Sequence, residues 1–269
     1  MRSSVPSRPW RRLSIPRRST AGGATSLSRR SSAVAAVAAA VCILGAAGCA
    51  GPFLRTLRGS GPVVSEHPSL PSFDQIHAST SFQVHVSPGQ DASVTLRFNE
   101  NLRKNLDVSV SGGELRLGLR PQFSLASATL EADITLPRLS RLELDGASHA
   151  QLDAGVQTGR IVISASGASQ VNGTLRSDQA TLDLLGASAV DLIGNATNLT
   201  ADASGASKAN LPDLAVQMLS VHLSGASSAV VAASGTISAD VSGASRLQYR
   251  GNPTFTHRSE TGASTIEPL

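Results

Sequence analysis

Residues 221–230 read "VHLSGASSAV", and this stretch decides the fold because the chain keeps returning to it. The Gly-Ala-Ser triplet stands at 146–148, 167–169, 186–188, 205–207, 225–227, 243–245 and 262–264. Successive glycines are 21, 19, 19, 20, 18 and 19 residues apart. Two places before the glycine stand Leu144, Ala165, Leu184, Ala203, Leu223 and Val241; four places before stand Leu142, Ile163, Leu182, Ala201, Val221 and Ala239. Between them lie Glu143, Ser164, Asp183, Asp202, His222 and Asp240. Apolar, polar, apolar is the period-two signature of a strand with one face inward.

The alternation resumes past the serine. Its apolar members are Ala150, Val171, Val190, Ala209, Ala229, Leu247 and Ile266. Each repeat is therefore strand, Gly-Ala-Ser bend, strand and a looser return. Two short strands cannot bury an inner face alone. Stacking copies at ~4.8 Å solves this, with equivalent strands paired in parallel around a continuous core. The expected fold is all-β: a single-stranded parallel β-helix, or solenoid. At each corner glycine permits positive φ. Alanine is expected to point into the crowded corner, and the serine hydroxyl to bond nearby turn backbone.

The same rhythm runs back through residues 73–140 without the triplet. Three or four further coils there bring the expected total to roughly ten ~19-residue coils. An antiparallel sandwich is the all-β alternative; it needs short hairpins, of which "SVSGGELRL" at 109–117 is the best example.

Residues 1–48 hold eight arginines and no acid, then the apolar run "AVAAVAAAVCILGAA" at 33–47. That run is shorter than the ~20 residues of a comfortable membrane span, and it reads as a secretory signal. It ends in "AAGC", which resembles the lipobox of bacterial lipoproteins. By that resemblance Cys49 becomes the lipidated first residue of the mature chain, a membrane anchor. Arg29-Arg30 offers a twin-arginine export route, although Ser32 stands where a hydrophobic residue is usual; a general secretion signal is the other reading. Residues 49–72, rich in Gly, Pro and Ser, are expected to tether this anchor to a domain at 73–269.

All 19 acidic residues but only 15 of the 23 basic ones follow Cys49. The mature chain is thus acidic, and the high pI is no argument for a nucleic-acid partner. The remaining cysteine, Cys42, leaves with the signal, so no thiol remains for a disulfide or a zinc site.

Several stretches, in order and spacing, resemble the head GIN domain of auto-transporter adhesins. They are "GSGPVV" (59–64), "FDQIHASTSFQVHVSPG" (73–89), "NENL" (99–102), "GGELRLGL" (112–119), "LPRLSRLELDGAS" (136–148), the repeated "SGAS" and "YRGNP" (249–253). The resemblance covers about residues 58–269. It implies a β-helical, surface-attached protein of the cell envelope. It supplies no catalytic residues, and it is expected to concern the passenger-like head alone, without a membrane barrel after the last repeat.

A nucleophilic serine needs a base and a group orienting that base. Only His149 and His222 lie near triplets, so the serines are expected to be structural and the protein not to be an enzyme. The outward row Glu143, Asp183, Asp202 and Asp240 offers oxygen ligands, but Ser164 and His222 interrupt it. The calcium-binding Gly/Asp repeat is absent, so no metal or cofactor is expected. A glycan-processing β-helix enzyme is the rival function. It needs two carboxylates about 5–10 Å apart in a groove and usually an aromatic platform. The mature chain has one tyrosine, Tyr249, and no tryptophan, Trp10 lying in the leader.

The candidate binding face is a stripe beside the corners: His149, Gln151, Gln170, Asn172, Asp191, Lys208, Asn210, Arg246 and Gln248. Amide and charged side chains at regular spacing suit an envelope or extracellular polymer or protein lying along the stack. The expected function is an exported, lipid-anchored protein of the cell surface or periplasm with a non-catalytic, adhesin-like head. A purely structural envelope scaffold remains the third reading.

Overall fold

The computed structural model describes residues 55–121, 123–156 and 158–269, all within the unit Pro52–Leu269. The signal, Cys42 and Cys49 lie outside the described residues. Among these, every element is a strand except one 3-10 turn, Glu100–Leu102. The first strands are β1 (Arg55–Arg58), β2 (Val63–Glu66), β3 (Gln75–Ala78), β4 (Gln83–Pro88), β5 (Ser93–Asn99), β6 (Leu106–Ser111), β7 (Glu114–Leu119), β8 (Phe123–Ser127) and β9 (Leu130–Leu136). The regular repeat follows as β10 (Arg141–Leu144), β11 (His149–Leu152), β12 (Thr158–Ala165), β13 (Gln170–Leu184), β14 (Ala189–Ala203), β15 (Lys208–Leu223) and β16 (Ser228–Val241). The last are β17 (Arg246–Arg250), β18 (Thr254–Glu260) and β19 (Thr265–Pro268).

From β10 onward every pairing is parallel to the equivalent strand of the next coil. This is the expected parallel β-solenoid, with about seven turns rather than ten. Its core consists of the residues that the alternation points inward. Leu142, Ile163, Leu182, Ala201, Val221 and Ala239 stack in one buried column, and Leu144, Ala165, Leu184, Ala203, Leu223 and Val241 in the next. The repeat lengths of 20 and 18 residues do not disturb this register. They are absorbed on the return segment, where β14 and β15 shift register between Asp191 and Gly194, and β15 and β16 shift between Leu211 and Ala215 and between Val216 and Met218.

The corner glycines all have positive φ, between +71° and +80°. A second constraint acts on them too. From Ala168 onward each corner alanine donates its N–H to the preceding coil's glycine carbonyl, at 2.7 Å for Ala187 to Gly167 and for Ala206 to Gly186. These corners are thereby bonded so closely that a Cβ on the glycine has no room. The serine ties the turn backbone as expected, but the alanine does not fill the corner. Alanines 147, 168 and 187 are exposed, whereas Ser148, Ser169, Ser188, Ser207, Ser227 and Ser245 are buried. The hydroxyl is satisfied inside by the carbonyl three residues back: Ser169 donates to Ser166 at 2.8 Å and Ser207 to Ser204 at 2.8 Å.

Residues 73–136 depart from the expected extra coils. β3 and β4 form a coil whose corner is Thr80-Ser81-Phe82, with Thr80 and Ser81 at φ +61° and +64°. Phe82 takes the place of the buried serine and is itself buried. β7 and β9 pair in parallel with β3 and β4 on the side away from β10 and β11. β2–β5, β5–β9 and β6–β7 are antiparallel, and the β6–β7 hairpin turns at Gly112-Gly113. The chain thus makes one coil, doubles back across its outer edge, and resumes stacking on the other side at β10. An open solenoid end leaves unpaired strand edges, and the antiparallel layer covers them.

Part of the expected tether is also folded. β1 pairs in parallel with β8, and β2 in antiparallel with β5. "GSGPVV" carries half of a strand pair, whose partner lies some 30 residues onward and leaves no mark in the local composition.

Candidate functional site

Two outward faces of the solenoid carry chemistry, one on either side of the Gly-Ala-Ser corner. The stripe expected after the corner is two rows in register. One runs His149, Gln170, Ala189, Lys208, Ser228, Arg246; the other runs Gln151, Asn172, Asp191, Asn210, Val230, Gln248. All nine expected side chains therefore share one sheet face. Neighbours satisfy one another: Gln170 Nε2 donates to Asn172 Oδ1 (3.1 Å), Asn210 Nδ2 to Asp191 Oδ2 (2.6 Å) and Gln248 Nε2 to Glu267 Oε1 (3.2 Å).

The doubled-back segment extends this stripe in a way the repeat alignment misses. Gln83 and His85 on β4 sit beside His149 and Gln151, and Glu131 and Asp133 on β9 lie beyond them. With Arg97 they line a depression of about 340 Å³. Arg97 Nη2 holds Glu131 Oε2 at 2.8 Å. His85 Nε2 lies 2.9 Å from Asp153 Oδ1, and Ser87 Oγ donates to the other oxygen at 2.7 Å. The Ser87 hydroxyl first, then His85, hold the Asp153 carboxyl below the ordinary carboxylate range.

On the strand before the corner the outward row is His77, Glu143, Ser164, Asp183, Asp202, His222, Asp240. Its C-terminal half borders a groove of about 690 Å³, with the acids and His222 along one side and Leu185, Ser204, Ser224 and Ser242 beside them. In sequence, His222 looks like an interruption of the acidic ladder. In register it sits between two acids, with Nδ1 3.0 Å from Asp202 Oδ1 and Nε2 3.5 Å from Asp240 Oδ2. His257 approaches Asp240 Oδ1 at 2.9 Å and keeps that carboxyl below its ordinary range. Stacked carboxylates repel one another, and the imidazoles relieve that repulsion.

This groove does bring carboxylates near one another, the feature the enzyme reading asked for. Yet a general acid needs a raised proton affinity, and Asp240 is shifted the other way. Ser148, Ser169, Ser188, Ser207 and Ser227 are buried with their hydroxyls donated to backbone carbonyls, an arrangement unsuited to a nucleophile.

A parallel β-solenoid with polar outer rows and an antiparallel end layer defines the class of fold. The chain belongs to the family described as "Putative auto-transporter adhesin, head GIN domain", whose match spans residues 72–253. Its fold is similar to the crystal structure of a "putative adhesin" from Bacteroides fragilis, at 19% identity and TM-score 0.74, covering 79% of this chain and 100% of that one. A "putative lipid binding protein" from Parabacteroides distasonis is similar at 17% identity and TM-score 0.63, covering 80% and 100%. A "putative adhesin" from the same species follows at 18% identity and TM-score 0.59, with the same coverage. No curated protein matches the chain.

Proposed function

We propose that this protein is exported, lipid-anchored through Cys49, and binds an envelope or extracellular polymer or protein with its solenoid head, without catalysis. The observation that carries the binding reading is the registered pair of outward rows on β11, β13, β14, β15, β16 and β17. Amide and charged groups recur there at multiples of the ~4.8 Å strand spacing, interrupted at Ala189, Ser228 and Val230, and an extended ligand lying along the stack meets polar groups on most coils. Family membership supports a surface role, and the "AAGC" sequence supports the anchor.

Two measurements test this. Metabolic palmitate labelling should mark the wild type and not Cys49→Ala, and protease added to intact cells should reach the head. Absence of labelling removes the anchor, and full protection removes the adhesin-like role. Separately, binding of the protein to isolated envelope polysaccharide should fall about tenfold in Lys208→Ala/Asn210→Ala, a loss of roughly 1.4 kcal/mol. Empty pull-downs and glycan arrays would instead leave a scaffold.

A further inference from the structure

We propose that His77, Glu143 and Asp145 form a binding site for a transition metal of the zinc class, at the junction between the first coil and the regular repeat. This site is independent of the stripe and of any ligand bound there. His77 on β3 pairs directly with Glu143 on β10, and Asp145 follows two residues later, immediately before the corner. One potential ligand atom from each of the three lies within 4.8 Å of the others. Ligands of a tetrahedral zinc stand about 3.3–3.5 Å apart, given bonds of 2.0–2.2 Å, so small rotamer changes close the set. His77 Nε2 and Asp145 Oδ2 are already 2.8 Å apart, and a metal would replace the proton between them.

The outer partners are the stronger argument. Metal ligands are typically oriented by groups that hold their other atoms, and Asp145 and Glu143 each accept from such a group. Ser166 Oγ donates to Asp145 Oδ1 at 2.5 Å, leaving Oδ2 toward the imidazole. Arg141 Nε donates to Glu143 Oε2 at 3.4 Å. Glu114 Oε1 on β7 lies 3.9 Å from His77 Nδ1, on the side of the ring away from Asp145, and accepts from Arg116 Nε at 2.7 Å. Strands β3 and β10 and the residues that follow β10 and β12 thus supply the ligands and their supports.

At His222 each ring nitrogen faces one carboxylate. At His77 the same holds, with Asp145 at Nε2 and Glu114 at Nδ1, but a further carboxylate, Glu143, gathers with His77 and Asp145. An imidazole with two carboxylates suits zinc or a neighbouring first-row metal better than calcium or magnesium, which prefer all-oxygen sets. Three protein ligands leave a coordination position open.

The test is zinc binding by the full-length chain, stripped with chelator, followed by calorimetry and by the visible absorption of the cobalt-substituted form. One equivalent of zinc should bind the wild type and raise its melting temperature. His77→Ala should abolish the cobalt spectrum and weaken zinc at least 100-fold. Ser166→Ala should weaken it about 10-fold, and His222→Ala should leave it unchanged. If His77→Ala does not fold, Glu143→Gln, which retains the shape of the side chain, decides through the same readouts. No zinc binding by the wild type overturns the proposal. So do unchanged affinity in His77→Ala or Glu143→Gln, loss in His222→Ala, or a preference for calcium.

Discussion

The carbonyl oxygen of Gly186 lies 2.6 Å from where a Cβ on Gly205 would stand, and it accepts the N–H of Ala206 at 2.7 Å. The hydrogen bond that joins one coil to the next is therefore what excludes a side chain. Left-handed φ alone would tolerate asparagine; this contact does not. Gly205→Ala should destabilise the protein by about 1–3 kcal/mol. Ala206→Ser, at an exposed site one residue on, should change stability by under about 0.5 kcal/mol. Urea unfolding of the two variants checks both, and equal midpoints would remove the corner argument.

The buried serines hold the corner from inside. Ser207→Ala should cost about 1 kcal/mol, because the Ser204 carbonyl loses its partner while the cavity created is small. Ser207→Val should cost more, since two methyl groups are forced beside that unsatisfied oxygen. Thermal melts of the pair read the order directly.

The first corner offers the opposite experiment. Thr80 is β-branched and sits at φ +61°, where a non-glycine residue costs roughly 1–2 kcal/mol. Thr80→Gly should stabilise the protein by a net ~0.5–1 kcal/mol, after the greater flexibility of the unfolded glycine is subtracted. A lower melting temperature would show that the threonine side chain contributes more than its backbone strain costs.

Acid should weaken the stripe's N-terminal end in a defined window. Asp153 is held below its ordinary range by Ser87 and His85. Its contribution is therefore full above the unfolded carboxyl value near pH 4 and is lost as pH falls through the lowered folded value. The site is solvent-exposed, so the contribution is about 0.2–1 kcal/mol. Melting temperatures of wild type and Asp153→Asn should differ at pH 6 and converge below pH 3. A constant difference across that range would sink the assignment.

The inward columns were legible in the sequence because period two survives every irregularity of the repeat. Leu182 and Val221 could be placed from spacing alone, and both are buried. The common face of the nine stripe residues was likewise legible, since their offset from the glycine is constant. The orientation of Ala187 and Ser188 was not legible. A residue with positive φ breaks the alternation, so the faces cannot be counted through the bend. Residues 73–136 misled for a related reason: antiparallel and parallel strands share the same period. The Gly112-Gly113 hairpin signal was visible, but nothing local says that the chain resumes stacking on the far side of its first coil. His222 was misread as a gap because only the cross-coil register shows it bridging Asp202 and Asp240.

The tolerance of the return segment to an extra or missing residue has a consequence for length. β14, β15 and β16 keep their inward columns aligned although their repeats differ in size, and the antiparallel layer closes only the opposite end. The middle of the molecule therefore behaves as a ruler. Duplicating residues 187–205 should lengthen the stack by one strand spacing, about 4.8 Å, and add one rung to each outward row. Reach and valency would then be set by copy number, with the terminal layer and the first coil left as they are.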